Sequence, residues 1–135
     1  MSQYNNYTRQ EAYDNARHHL GRAESATINM RNWSDWQAYQ QNRQHAFRNT
    51  LESIHAVRKL WRQDKVVMGG HFATRADWME TALQDLRKIA RYVSAEQNIL
   101  SDRHTLLKQR KGMRDAWQRT RETMIKVSNT YAIDA

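Results

Sequence analysis

The scarcity of turn-forming residues is the strongest constraint on the fold of this 135-residue chain, which contains no proline and four glycines. An all-β fold needs turn signals at intervals of about 8–12 residues, and this sequence cannot supply them. Cysteine is also absent, which excludes disulfides, thiolate metal sites and cysteine nucleophiles. We therefore predict an all-α fold, a bundle of four to five helices with an extended N-terminal helical arm.

Local start signals place the helices. A hydroxyl residue followed three residues later by Glu or Gln occurs at Thr8, Ser34 and Ser94, and Thr74-x-x-Asp77 is a near match. This pattern is the capping box, in which the two side chains satisfy orphan backbone amides. The signals predict helices over residues 9–31, 35–64, 75–92, 95–111 and 113–130.

The chain shows one clear break, at Met68-Gly69-Gly70-His71, and no internal repeat or low-complexity linker. We predict a single domain, in which residues 1–33 form the N-terminal arm and first helix and residues 34–135 form the bundle body. Only Gly112 and the Ser94 signal separate the last three helices, which can therefore run together.

Apolar residues at three- and four-residue steps predict the buried faces. The stripe of the second helix is Trp36, Tyr39, Phe47, Leu51, Ile54, Val57 and Trp61. The last helix has a heptad-like seam, predicted to pack within the same bundle, of Met113, Trp117, Thr120, Met124, Val127 and Tyr131. The first helix has mostly small apolar residues, which let it lie close to a neighbour.

Charge points to a polyanionic partner. Lys and Arg number 22 against 14 Asp and Glu, a net charge of +8, and 16 of the cations are arginine. The planar guanidinium group binds phosphate with several donors at once. Nucleic acid is therefore the predicted partner, bound through its backbone with little dependence on sequence.

The densest run of cations lies between Arg103 and Arg121. Within it, four arginines follow 7-4-7 steps and so share one side of a helix. A weaker set lies on the second helix, and the small-faced first helix adds a third. The predicted nucleic-acid-binding residues are Arg103, Arg110, Arg114 and Arg121, then Arg48, Arg58 and Arg62, then Arg9, Arg17 and Arg31.

Several chemistries lack their motifs. The sequence has no zinc-finger spacing, no HExxH and no glycine-rich phosphate loop, and the single Glu52-Ser-Ile-His55 step has no second copy to complete a di-iron site. We predict no metal, no cofactor and no catalytic constellation of the common kinds. No apolar run is long enough to span a membrane, and no signal peptide is visible, so we predict a soluble protein.

One segment, Arg48-Asn49-x5-His55, resembles the arginine–histidine signature of HEPN ribonucleases, which are small all-helical proteins. In that family the two residues meet at a dimer cleft and cleave RNA without metal. The resemblance implies catalytic roles for Arg48 and His55, as an alternative function.

In architecture and composition the whole chain resembles the small helical capsid proteins of filamentous archaeal viruses. That resemblance implies a non-enzymatic coat subunit that wraps double-stranded DNA and assembles with itself or a related chain. The expected location is then a virion or nucleoprotein particle, and otherwise the cytoplasm. A small helical subunit of an RNA-guided effector complex is a further alternative with similar features.

Overall fold

A computed structural model describes residues 2–67 and 72–134, with side chains over 10–65 and 74–129. Its four α-helices are α1 (Ser2–Asn29), α2 (Trp36–Val67), α3 (Phe72–Ala95) and α4 (Arg103–Asp134), and a 3-10 turn, Glu96–Asn98, follows α3. Within these described residues there is no strand, and the predicted all-α class is confirmed. The predicted break at 68–71 lies outside the described residues.

Two predicted helix starts are wrong because the helices begin earlier. Helix α1 begins at Ser2 rather than after Thr8, and α3 begins at Phe72, so that Thr74 lies inside it. A hydroxyl residue is compatible with a helix interior because its side chain can bond the carbonyl one turn earlier. Thr50 makes this bond, donating to the carbonyl of Ala46 at 2.8 Å.

Aspartates cap α2 and α4 in place of the predicted serines. The carboxylate of Asp35 accepts the amide N–H of Ala38 at 2.7 Å, one residue after the predicted cap. Asp102 accepts the amide N–H of Thr105 at 3.2 Å and its hydroxyl at 2.6 Å. These hydrogen bonds lower the pKa of Asp102 because they favour its charged form.

The predicted helix over 95–111 is wrong at its start, because α3 continues through Ser94 to Ala95. Residues 103–111 of that segment and the whole predicted segment 113–130 lie in one helix, α4, which passes through Gly112 without interruption. A Cβ atom at Gly112 would lie 3.0 Å from the hydroxyl oxygen of Tyr92 and 3.2 Å from its ring. This glycine therefore permits close packing of α4 on α3 rather than ending a helix.

The helices pack in chain order. Helix α2 packs against α1 and α3, α3 packs against α4, and α1 has only sparse contact with α4. The predicted small face of α1 lies against this bundle, with Ala16 and Ala23 fully buried. Close approach of α1 to α2 is evident where the hydroxyl of Ser53 donates to the carbonyl of His19 at 2.9 Å.

The stripe predicted for α2 is confirmed in part. Tyr39 and Val57 are fully buried, but Trp36 is 53% exposed and Leu51 is 38% exposed. Both α1 and α3 pack against α2, and the positions that they bury include polar residues such as Thr50. The buried sector of α2 therefore does not coincide with the predicted apolar stripe.

The seam of α4 is confirmed over the described residues. Five of its six positions are at most 5% exposed, and the side chain of Tyr131 lies outside the described residues. Because α4 packs chiefly on α3, the partner of this seam is a helix of the same chain, as predicted.

A buried ion pair links three helices at the bundle end where α2 finishes. Arg75 and Asp64 are both 0% exposed. The guanidinium of Arg75 contacts Oδ2 of Asp64 through Nε at 2.7 Å and through Nη2 at 2.6 Å. Its Nη1 donates to the carbonyl of Val127 at 2.5 Å. One arginine of α3 thus connects α2 with α4.

Removing only Arg75 leaves a buried carboxylate without its cation. We expect Arg75→Met to lower the free energy of unfolding by about 3–5 kcal/mol. The double variant Asp64→Leu/Arg75→Met should recover most of that loss, because apolar residues of similar size often replace a buried pair. Urea unfolding followed by circular dichroism measures both, and a single-variant loss below about 1 kcal/mol, the value of a surface pair, would contradict the prediction.

Candidate nucleic-acid interface

The predicted arginines of α2 are available to a ligand. Arg48, Arg58 and Arg62 are exposed along the solvent side of the helix. None of the three forms an ion pair with a described acidic residue. Their positive charges therefore face water on one side of the bundle.

Arg110, in contrast, is occupied by a structural contact. Its Nε and Nη2 donate to Oε1 of Glu96 at 3.0 and 2.6 Å, and Glu96 is only 1% exposed. A buried carboxylate needs such a partner to offset its lost hydration. Arg110 therefore uses two of its nitrogen donors on Glu96, and its role in nucleic-acid binding stays a prediction.

Arg121 is paired as well. Its guanidinium contacts the carboxylate of Glu24, which links α4 to α1 where these helices otherwise have sparse contact. Arg103 and Arg114 remain exposed, without an ion pair to any described acid. The predicted 7-4-7 row is therefore reduced to two unpaired cations.

The predicted arginines of the first helix are exposed where their side chains are described. Arg17 is exposed on α1, and Arg31 is exposed just after the helix end. The side chain of Arg9 lies outside the described residues.

A groove between α2 and α3 brings together cations that are distant in sequence. Its volume is about 400 Å³, and Arg58 and Arg62 of α2 face Arg87 of α3 across it. We call it the α2–α3 groove, and its lining residues are Arg58, Trp61, Arg62, Glu80, Leu83, Gln84 and Arg87.

A shallower depression on α3 continues this surface. It shares Gln84 and Arg87 with the α2–α3 groove and adds Lys88 and Arg91. Together the two depressions form a continuous surface, which we call the basic strip, defined by Arg58, Arg62, Arg87, Lys88 and Arg91.

Two carboxylates lie beside the basic strip, Glu80 and Asp85, and that of Asp85 is neutralised by an arginine of α4. Asp85 lines the α3 depression, but it accepts hydrogen bonds from Arg119 of α4, with Nη2 at 3.0 Å. That contact raises the pKa of Arg119, since it stabilises the charged guanidinium. Asp85 therefore reduces the positive potential of the basic strip only slightly.

Our sequence predictions did not include Arg87, Lys88 or Arg91. The signal available was the helical period of α3, because Leu86 and Ile89 are buried while Arg87 and Arg91, one turn apart, are exposed. Only the packing of α3 beside α2 shows that these cations continue the α2 set.

Arg48 and His55, the alternative catalytic pair, are both exposed on α2. Their seven-residue separation corresponds to about 10.5 Å along the helix axis. The helix continues to Val67, well beyond His55. A second copy would be needed to bring an arginine and a histidine into one cleft.

Among the described residues, no group of three or more His, Asp or Glu is placed to hold a metal ion. None of the described helices is long and apolar enough to cross a membrane. Comparisons with known protein families, with curated proteins and with solved structures find no match for the chain.

The position of Tyr39 near Glu96 and Arg110 can be tested through the dependence of stability on pH. Burial, together with the nearby charge of Glu96, raises the pKa of Tyr39 to about 12. A phenol whose pKa is raised on folding stabilises the protein below its unfolded value, about 10, and that contribution is lost as pH rises toward 12. We expect the urea midpoint to fall between pH 10 and 12, and to fall less in Tyr39→Phe. Parallel pH profiles for the two proteins would contradict this assignment.

Proposed function

We propose that this protein binds nucleic acid non-specifically through the phosphate backbone, as a coat or packaging subunit for double-stranded DNA. The observation that supports this is the basic strip, where five cations from two helices share one surface. The arginines of the strip have no ion pair with a described acid. Their charge is available to a polyanion.

The spacing of the strip suits a phosphate backbone. Arg58 and Arg62, like Arg87 and Arg91, are separated by one helical turn, about 6 Å along the axis. Two nucleotide steps along one strand of B-DNA cover about 6.8 Å. Neutralising these phosphates releases condensed counterions, which drives binding without reading bases.

Cations on other faces support a packaging role. Arg17 on α1 and Arg103 and Arg114 on α4 are exposed without a described acidic partner. A subunit with cations on several sides can contact more than one segment of nucleic acid at once. Such bridging, with copies arranged along a duplex, is what a coat or packaging protein requires.

Removal of three groove charges tests the proposal. In Arg58→Gln/Arg62→Gln/Arg87→Gln, the slope of log affinity against log salt on a 30-base-pair duplex should fall by about 2.7, since each lost phosphate contact removes about 0.9. Fluorescence anisotropy at several salt concentrations gives both slopes. Electron microscopy of the wild type on long linear DNA should show continuous filaments.

The matched control removes the same charge elsewhere. Arg22→Gln/Lys108→Gln/Lys111→Gln changes three exposed cations of α1 and α4 that are not among the proposed contacts and should change the slope by less. Equal losses in both triple variants would show that net charge alone drives binding. A wild-type slope near zero would reject nucleic-acid binding through phosphates.

A second candidate, metal-independent RNA cleavage, is favoured by the exposure of Arg48 and His55 on one helix face. If two copies join these residues, His55→Ala should abolish cleavage of a labelled RNA in the presence of EDTA, because the imidazole would transfer the proton. His18→Ala, another exposed histidine, serves as the control. Intact RNA after long incubation with the wild type rejects this candidate.

A further inference from the structure

We propose that the α2–α3 groove holds an unpaired nucleotide of a single strand, with its base against Trp61 and its phosphates on the groove arginines. This inference rests on the proposed nucleic-acid binding and goes beyond it, because the same arginines that contact a duplex backbone can also hold the phosphates of an unpaired nucleotide whose base reaches Trp61. The groove is concave, and its lining combines Arg58, Arg62 and Arg87 with the apolar side chains of Trp61 and Leu83. A backbone contact alone needs only the cations.

Trp61 is suited to stacking because it is held in place. Its ring is partly exposed in the groove and packs against the hydrophobic core. Because the ring is already fixed, no further side chain has to become ordered when a base stacks on it. Stacking on an aromatic ring is tolerant of sequence, since every base has a π-face.

The groove is large enough to hold one nucleotide. Its volume of about 400 Å³ lies within the range typical of small-ligand sites, about 300–1,000 Å³. A base within a duplex is paired and stacked, and its π-face is not available to a side chain. The groove can therefore use its aromatic wall only with an unpaired base.

Charge inside the groove orients the nucleotide. Lys65 does not line the groove, but its ammonium lies over the ring of Trp61, 5.3 Å from the centroid, and a base that stacks on that face takes the place of the ammonium. Glu80 lines the same groove, and its carboxylate repels phosphate. The phosphates are thus directed toward Arg58 and Arg87, and the neutral base toward Glu80 and Trp61.

The test compares three probes on the intact wild-type protein: a 15-nucleotide oligo-dT, an abasic strand with the same number of phosphates, and a 15-base-pair duplex. We expect the abasic strand to bind about 5- to 150-fold more weakly than oligo-dT, the range for one stacked base. Quenching of tryptophan fluorescence by oligo-dT but not by the abasic strand should accompany this difference.

Trp61→Leu should remove the preference for oligo-dT over the abasic strand and leave duplex affinity unchanged. The control is Trp36→Leu, an exposed tryptophan that does not line the groove. If Trp61→Leu does not fold, as circular dichroism would show, the comparison of probes on the wild type still decides.

Two failures are distinguishable. Salt-dependent binding with equal affinity for oligo-dT and the abasic strand, or an unchanged preference in folded Trp61→Leu, overturns the nucleotide site and leaves the proposed function standing. No salt-dependent binding to any probe overturns the proposed function itself.

Discussion

The buried contact of Arg75 with Asp64 and with the carbonyl of Val127 is the interaction on which the arrangement of α2, α3 and α4 depends. Arg75 is the largest side chain that the described core buries completely. The mean hydropathy of the chain is -1.01, and much of its core consists of alanine and threonine. In such a chain, buried polar contacts fix which helices are neighbours, whereas small apolar faces would fit in several registers.

Ion pairs between acidic residues and arginines also determine which charges remain on the outer surface. Asp64, Asp85, Glu96 and Glu24 each pair with an arginine of another helix or segment. These pairs use four of the 14 acidic residues and four of the 22 cations, so the net charge of +8 stays with the other residues. Among those cations are the exposed arginines where α2 and α3 lie side by side. Stability and a positive surface come from one distribution of charge.

The sequence predicts features set by local interactions better than features set by contacts between helices. The seam from Met113 to Val127 is predicted correctly because helical period alone decides it. The exposure of Trp36 and Leu51 is not predicted, because it depends on how α1 and α3 pack against α2. The cap at Asp102 in place of Ser94 depends on where the chain leaves α3.

The candidate site shows the same limit. Arg58 and Arg62 could be chosen from charge and helical position, but their partner Arg87 lies across a helix pair. Arg110 fits the predicted row by its spacing. Its hydrogen bond to Glu96, 14 residues away, has no signal in the local sequence. Pairings between helices are set by tertiary packing and leave no local pattern.

The small face of α1 has a consequence for how the molecule opens. Alanines such as Ala16, Ala23 and Ala26 bury little apolar area per residue, and α1 has only sparse contact with α4. Detaching α1 from α2 therefore exposes far less apolar surface than unfolding the other three helices. We therefore expect α1 to open as a separate cooperative unit before the other three helices unfold. In hydrogen exchange, the amides of α1 would lose protection before those of α3, and the same detachment would let α1 dock on a neighbouring copy by domain exchange.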